Sequence, residues 1–363
     1  MDLYPLFRPL IFQFDPETAH NLTLDALRRA PVGLLKALLP TIKDDPRQVM
    51  GLTFANPVGL AAGLDKNGEC LDAWAAMGFG FIEVGTVTPR PQPGNSKPRM
   101  FRLPEVNGII NRMGFNNDGI DALLENVARS SFTGVLGINI GKNFDTPIEN
   151  AADDYLIGLR KAYQRASYVT INISSPNTKG LRSLQYSDEL NALLTVLKAE
   201  QARLADQHGK YTPFAVKVAP DLPDKQIADM ADLFRKHRVD AVIATNTSLS
   251  RAGVDHLPHG TEIGGLSGAP VKRSSDQVLA ALAYAGALKG EIPLIGVGGI
   301  LGGDAAVDKL RLGASLVQLY SGLIYRGPAL ISECAAACRG LGQDPQSRQF
   351  NRATSAAQTG LDE

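Results

Sequence analysis

Eight short β-rich runs, each ending in small or polar residues, constrain this chain more than any other feature. They cover residues 57–62, 81–86, 135–140, 168–173, 214–219, 241–245, 293–297 and 316–320. Helix-like periodicity fills most of the intervals, most clearly over residues 187–207 and 225–237. The runs are apolar without clean alternation, as expected of strands covered on both faces in a parallel sheet. Eight strand–helix units over about 280 residues fit a (β/α)8 barrel of the α/β class, in which chemistry sits at the C-terminal strand ends. A doubly wound open sheet would carry the same pattern, although the eightfold count favours the barrel.

Composition narrows the function without naming it. Lys and Arg together number 37, as do Asp and Glu, so there is no basic excess of the kind nucleic acid requires. Cys70, Cys334 and Cys338 make no disulfide framework. Cys334 and Cys338 share a helix face and, with no His beside them, are read as packing rather than metal ligands. No apolar run approaches the ~20 residues of a membrane span, and no secretory signal is legible, so a reducing, cytosolic setting is expected.

Residues 1–40 differ from the rest. Leu3, Leu6, Phe7, Leu10, Ile11 and Phe14 recur at helical steps, and Asp15-Pro16-Glu17 reads as an N-cap followed by proline at the first helical position. Leu22, Leu24 and Leu27 follow, then Arg28-Arg29. Pro31 ends that helix, and a short apolar run over residues 32–39 closes at Pro40. Two readings stand: an extra layer packed on the main domain, or an amphipathic anchor lying in a membrane interface. The division expected is an amphipathic segment at 1–40, a barrel at 41–339 after a polar linker over 41–47, and a flexible polar tail at 340–363.

In order, the strand ends offer Ala62-Gly63, Thr86, Asn139, Asn172, Lys217, Thr245, Gly298-Gly299 and Tyr320-Ser321. Each alone can be a cap or a turn. As a set they lack the His, Asp and Glu cluster a metal would need, so no metal is expected. Neutral donors and one lysine suit a large, planar, polar ligand bearing a phosphate. Ile295-Gly296-Val297-Gly298-Gly299-Ile300, followed by Gly302-Gly303-Asp304, could present bare backbone N–H groups to that phosphate. Lys217, inside Ala215-Val216-Lys217-Val218-Ala219, is a costly charge to bury. It reads either as a Schiff-base amine, as in an aldolase, or as a cation at the edge of a reduced flavin. Ser175, before Pro176, is either a turn serine or a proton acceptor over a bound ring.

Longer motifs resolve these alternatives by resemblance. Ala62-Gly63-Leu64-Asp65-Lys66, the stretch from Gly85 to Asn95, Asn111-Arg112-Met113-Gly114-Phe115-Asn116-Asn117 and Asn172-Ile173-Ser174-Ser175-Pro176-Asn177-Thr178 resemble class 2, quinone-dependent dihydroorotate dehydrogenases. The likeness runs from the N-terminal helices to about Arg339. It implies a (β/α)8 barrel with an N-terminal helical extension, holding FMN, oxidising (S)-dihydroorotate to orotate in pyrimidine synthesis and passing electrons to a membrane quinone. By motif, FMN would contact Ala62, Gly63, Lys66, Thr86, Asn139, Asn172, Lys217, Thr245, Gly268, Gly299, Tyr320 and Ser321. Substrate would contact Lys66, Asn111, Arg112, Met113, Gly114, Phe115, Asn172, Asn177, Asn246 and Thr247. Ser175 would be the base; class 1 relatives carry Cys there and lack the N-terminal helices. His20 and Arg102 match positions lining the family's quinone tunnel. The resemblance thus turns residues 1–40 toward the membrane reading, with the protein peripheral on the cytoplasmic face.

Overall fold

The computed structural model describes residues 4–284 and 291–343. Eight parallel strands close into a barrel: β1 (Val58–Leu60), β2 (Phe81–Val87), β3 (Val135–Ile140), β4 (Tyr168–Asn172), β5 (Phe214–Val218), β6 (Ala241–Ala244), β7 (Leu294–Val297) and β8 (Ala314–Leu319). They pair in chain order, and β8 returns to β1 with Val317 opposite Val58 and Leu319 opposite Leu60. That last pairing removes both sheet edges, so the fold is the (β/α)8 barrel and the open sheet is excluded.

The barrel interior is filled by matching glycines to aromatic rings. A Cβ on Gly59 would stand 2.3 Å from the Phe81 ring, and one on Gly137 would stand 2.3 Å from that of Tyr168. Small and large residues therefore interlock across neighbouring strands, as a tapering barrel requires. Two additions cover the ends, and neither was read from the sequence. A hairpin of Arg47–Val49 and Leu52–Phe54 plugs the bottom, the Phe54 ring meeting Phe81 edge-on at 5.1 Å. Over the C-terminal mouth lies an antiparallel sheet of Met100–Leu103, Gly108–Asn111 and Gly265–Gly268, built from the insertions after β2 and β6.

Three helices precede the barrel: α1 (Tyr4–Ile11), α2 (Pro16–Arg29) and α3 (Val32–Leu38). Asp15 caps α2 as expected, its carboxylate accepting from the N–H groups of Glu17 and Thr18 at 3.0 Å. The cap stabilises the helix by roughly 1 kcal/mol. Helix α1 is fastened to the helix Ser321–Arg326: the Tyr4 hydroxyl donates to the Ile324 carbonyl and Arg8 to that of Tyr325. Leu6, Phe7, Leu10, Phe14, Leu22, Leu34 and Leu38 are each more than half exposed. Cys334 and Cys338 are buried, unbridged, on the helix Ala329–Gln343. That helix passes the tail boundary expected at 340; the remainder of the tail, 344–363, lies outside the described residues.

Candidate active site

The C-terminal strand ends open into a cleft under the antiparallel sheet. Ala62, Gly63, Lys66, Thr86, Asn172, Lys217, Thr245, Gly268, Gly299, Tyr320 and Ser321 line it. So do Asn111, Met113, Gly114, Phe115, Ser175, Asn177, Asn246 and Thr247.

Asn139 and Arg112 do not. Asn139 is fully buried below the floor, accepting from the Thr86 hydroxyl at 2.6 Å and donating to Glu83 at 2.8 Å. Arg112 follows directly on the strand Gly108–Asn111, and its side chain is engaged away from the cleft. Its guanidinium ties Glu262 (2.7 Å) and the carbonyl of Pro98 (2.8 Å) and lies over the Phe101 ring. It braces the wall from outside. The glycine-rich loop is also more limited than its sequence implied. Val297 to Ile300 reach the cleft, but the Gly303 N–H that opens the next helix is already bonded to the Glu333 carboxylate at 2.9 Å.

The floor is a ladder of side-chain hydrogen bonds running across strands. Asn172 donates to the Thr86 hydroxyl at 2.8 Å, and Asn246 donates to Asn172 Oδ1 at 3.2 Å and to Ser174 at 3.0 Å. Nearer the mouth, Asn177 donates to the Asn111 carbonyl at 3.1 Å. Beneath the ladder Glu83, fully buried inside the barrel, accepts at 2.8 Å from each of Asn139, Tyr168 and Gln318. Sequence reading missed Glu83 because it looked only at strand ends. A carboxylate within Phe81-Ile82-Glu83-Val84 is as anomalous as the lysine in β5, and that was the available signal.

Lys217 is buried and makes no hydrogen bond or ion pair with the described residues. Burial pushes its pKa down, and the Glu83 carboxylate partly opposes this. Lys66 is brought to about 8 by burial and by the Arg99 charge, against Glu17 and Asp65. Both ammonium groups therefore favour an anionic or electron-rich ligand. Ser175 is buried at the cleft wall, its Oγ accepting from the Asn177 N–H at 3.2 Å, so the turn role and the place in the cleft coexist.

His20 and Arg102 lie elsewhere, in a second, mainly apolar cavity between α1, α2 and the barrel. Phe12, Leu24, Leu27, Leu64, Trp74, Met100, Leu323 and Ile324 also line it. Burial first, and the nearby Lys66 charge second, depress the His20 pKa to about 3, so its imidazole is neutral near pH 7. Arg102 donates to the carbonyls of Phe12 and Phe14 and lies 4.4 Å over the Phe12 ring.

Comparison with known proteins places this architecture. Residues 46–339 match the family described as Dihydroorotate dehydrogenase. The chain is 61% identical over 334 residues to a dihydroorotate dehydrogenase (quinone) of Nitrosospira multiformis, covering 92% of this chain and 95% of that one. It is 64% identical over 336 residues to the protein of that name in Chromobacterium violaceum, covering 92% and 97%. A crystal structure of DHODH from Eimeria tenella, in complex with ferulenol, superposes with a TM-score of 0.82 at 38% identity, covering 91% of this chain and 92% of that one. Similarity this extensive, on a barrel with the N-terminal helices present, means that the chain belongs to the quinone-dependent dihydroorotate dehydrogenases.

Proposed function

We propose that this protein oxidises (S)-dihydroorotate to orotate with FMN held in the cleft, as a step of de novo pyrimidine (UMP) synthesis. The electrons pass to a membrane quinone that enters through the apolar cavity from the cytoplasmic face. One observation carries the reading: the two chambers share a wall. Helix Ser321–Arg326 starts with Ser321 and Gly322 in the cleft and continues with Leu323 and Ile324 in the cavity, and Gly63 and Leu64 divide in the same way. A redox group at this wall is open to a polar donor on one side and an apolar acceptor on the other.

The residues present fit FMN. Gly298 and Gly299 have φ of 115° and 73°, which leaves bare backbone facing the cleft beside Ser321 and Gly322. Such backbone, with no carboxylate among the described residues lining the cleft, suits a phosphate. The unpartnered Lys217 ammonium and the unsatisfied Oε1 of Gln318 suit the polar edge of the ring system. FMN, when bound, supplies the two-electron chemistry.

The chain's own residues do the rest. Asn111, Asn172, Asn177 and Asn246 each carry a donor and an acceptor, matching the alternating N–H and C=O groups of a pyrimidinedione. Lys66 pairs with the substrate carboxylate. Ser175 Oγ takes the C5 proton and, being a weak base, passes it on through water. In the second cavity a neutral His20 keeps the lining compatible with an uncharged quinone. The exposed apolar residues of α1–α3, with Arg28, Arg29 and Lys36 beside them, suit an anionic membrane surface.

Two experiments test this. First, kcat/KM for dihydroorotate should fall as pH rises through about 8, because the Lys66 amine loses its charge above that pH. Lys66→Arg, permanently charged, should lose that alkaline limb even at lower overall activity. A limb that persists unchanged in Lys66→Arg would assign it to another group. Second, deletion of residues 1–40 should leave a yellow protein that still bleaches with saturating dihydroorotate under anaerobic conditions. It should reoxidise poorly with quinone and lose affinity for liposomes. Flavin content checks that the truncated barrel is folded. Unchanged quinone turnover and liposome binding would place the quinone site elsewhere and return the helices to packing.

A further inference from the structure

Glu17 and Arg99 line neither chamber, yet they form a buried ion pair between them. Their side chains are only 8% and 7% exposed. The pair is bidentate: Arg99 Nε donates to one Glu17 oxygen at 3.0 Å and Nη2 to the other at 2.7 Å. Burial works against the Glu17 carboxylate, but hydrogen bonds from Arg99 and Lys97 outweigh it and hold its pKa below the usual value. A buried ion pair is weak evidence of stabilisation, since desolvating both charges offsets most of the attraction. What else each partner touches is therefore more informative.

Glu17 stands in the first turn of α2, beside Pro16, Ala19 and His20, which line the apolar cavity. Arg99 spends its remaining nitrogen, Nη1, on the carbonyls of Pro93 (2.6 Å) and Asn95 (2.7 Å). Asn95 carries the contact to the cleft. Its N–H donates to the Met113 carbonyl at 3.1 Å, and its side-chain amide donates to the carbonyls of Arg112 (2.9 Å) and Asn177 (3.4 Å). The Arg99 carbonyl in turn accepts from the Arg112 N–H at 2.8 Å. No slack exists at the junction: a Cβ on Gly94, at φ +75°, would stand 2.2 Å from the Met113 carbonyl oxygen. One guanidinium therefore joins the helix that walls the apolar cavity to the two loops that wall the cleft.

We infer that Glu17 and Arg99 are positioning residues for substrate: through them α2 holds residues 93–95, and these set Met113, Gly114 and Asn177 in the cleft. The inference rests on the substrate reading of the cleft given above. Neither residue touches substrate, and neither is asked to move a proton. The consequence is that the N-terminal helices serve the polar half-reaction as well as the apolar one. Substrate affinity depends on α2, although every residue that would touch substrate lies in the barrel or its insertions.

The test uses the flavin-loaded, full-length protein. Glu17→Gln keeps the shape and removes the charge. It is expected to weaken orotate binding, read from the perturbed flavin spectrum, roughly tenfold. Flavin content should stay at the wild-type level, and the rate of bleaching at saturating dihydroorotate should stay within about threefold. Arg99→Gln should produce a similar loss of orotate affinity, and the double variant should lose no more than the larger single effect, because the two act as one unit. Unchanged orotate affinity in Glu17→Gln, or losses that simply add in the double variant, would overturn the inference. Should Glu17→Gln be recovered without flavin, the comparison passes to Glu17→Asp, where unchanged orotate affinity would equally sink it. A wild-type protein that neither bleaches with dihydroorotate nor binds orotate would instead overturn the functional reading itself.

Discussion

Ser175→Ala is expected to keep its flavin and to be reduced by dihydroorotate roughly 10² to 10⁴ times more slowly than the unaltered protein. The expectation follows from the base role that the family resemblance implies for Ser175, together with its place in the cleft. Among the described residues no His, Asp or Glu lines the cleft; the ionisable side chains there are Lys66, Lys217 and Tyr320. The two lysines are placed as cations, and burial raises the Tyr320 phenol to about 12, which leaves it a poor proton acceptor in its neutral form. The aliphatic hydroxyls of Thr86, Thr245, Thr247, Ser267 and Ser321 line the cleft as well, so it is the family resemblance that singles out Ser175. Alanine also removes the hydrogen bond from the Asn177 N–H, at a cost of about 1 kcal/mol, small beside the roughly 5–15 kcal/mol stability of a typical domain. The loss should therefore appear in the rate of flavin bleaching under rapid anaerobic mixing and not in flavin content. Ser175→Cys should retain part of the rate, since a thiol can fill the same place. Wild-type bleaching in Ser175→Ala would show that the base is another group.

The other large effect is expected at Lys217. Lys217→Met preserves most of the side chain's bulk and removes its charge. The variant should either come out of purification with much less flavin or hold flavin that dihydroorotate reduces at least about 10²-fold more slowly. Its midpoint potential should shift negative, because a cation beside the ring favours the electron-rich reduced form. The physical basis is the unshared ammonium. Buried lysines elsewhere in the barrel are fully engaged: Lys309 meets Asp276 and Ser275, and Lys142 donates to the carbonyls of Asn143 and Thr146. Lys217 has no such partner among the described residues, while Glu83, the nearby carboxylate, is occupied by three neutral donors. Full flavin occupancy with an unaltered potential and normal reduction in Lys217→Met would reduce Lys217 to a packing role.

These expectations draw unequally on sequence and structure. Lys217 was conspicuous in the sequence because a charge among Ala215, Val216, Val218 and Ala219 is costly unless something compensates it. Glu83 carried the same signal and was passed over, since its partners lie on three other strands and no local pattern joins them. Arg112 is a different case. It sits inside a motif whose neighbours line the cleft, yet its guanidinium pairs with Glu262, 150 positions away.

What the sequence determined by itself is the material set by short-range periodicity. The eight barrel strands lie within two residues of the runs read from it, and the helix start at Asp15 is where its cap chemistry put it. Both depend on side chains a few positions apart, so they are written locally. The tertiary structure alone decided closure of the barrel, the hairpin plug, the sheet over the mouth, the second cavity and the buried Glu17–Arg99 pair. Apart from the hairpin's own pairing, which is local, each of these joins segments far apart in the chain; Glu17 and Arg99 are separated by 82 positions. The energy of such a contact depends on burial and on partners that exist only once the chain has folded, so neither residue carries it alone.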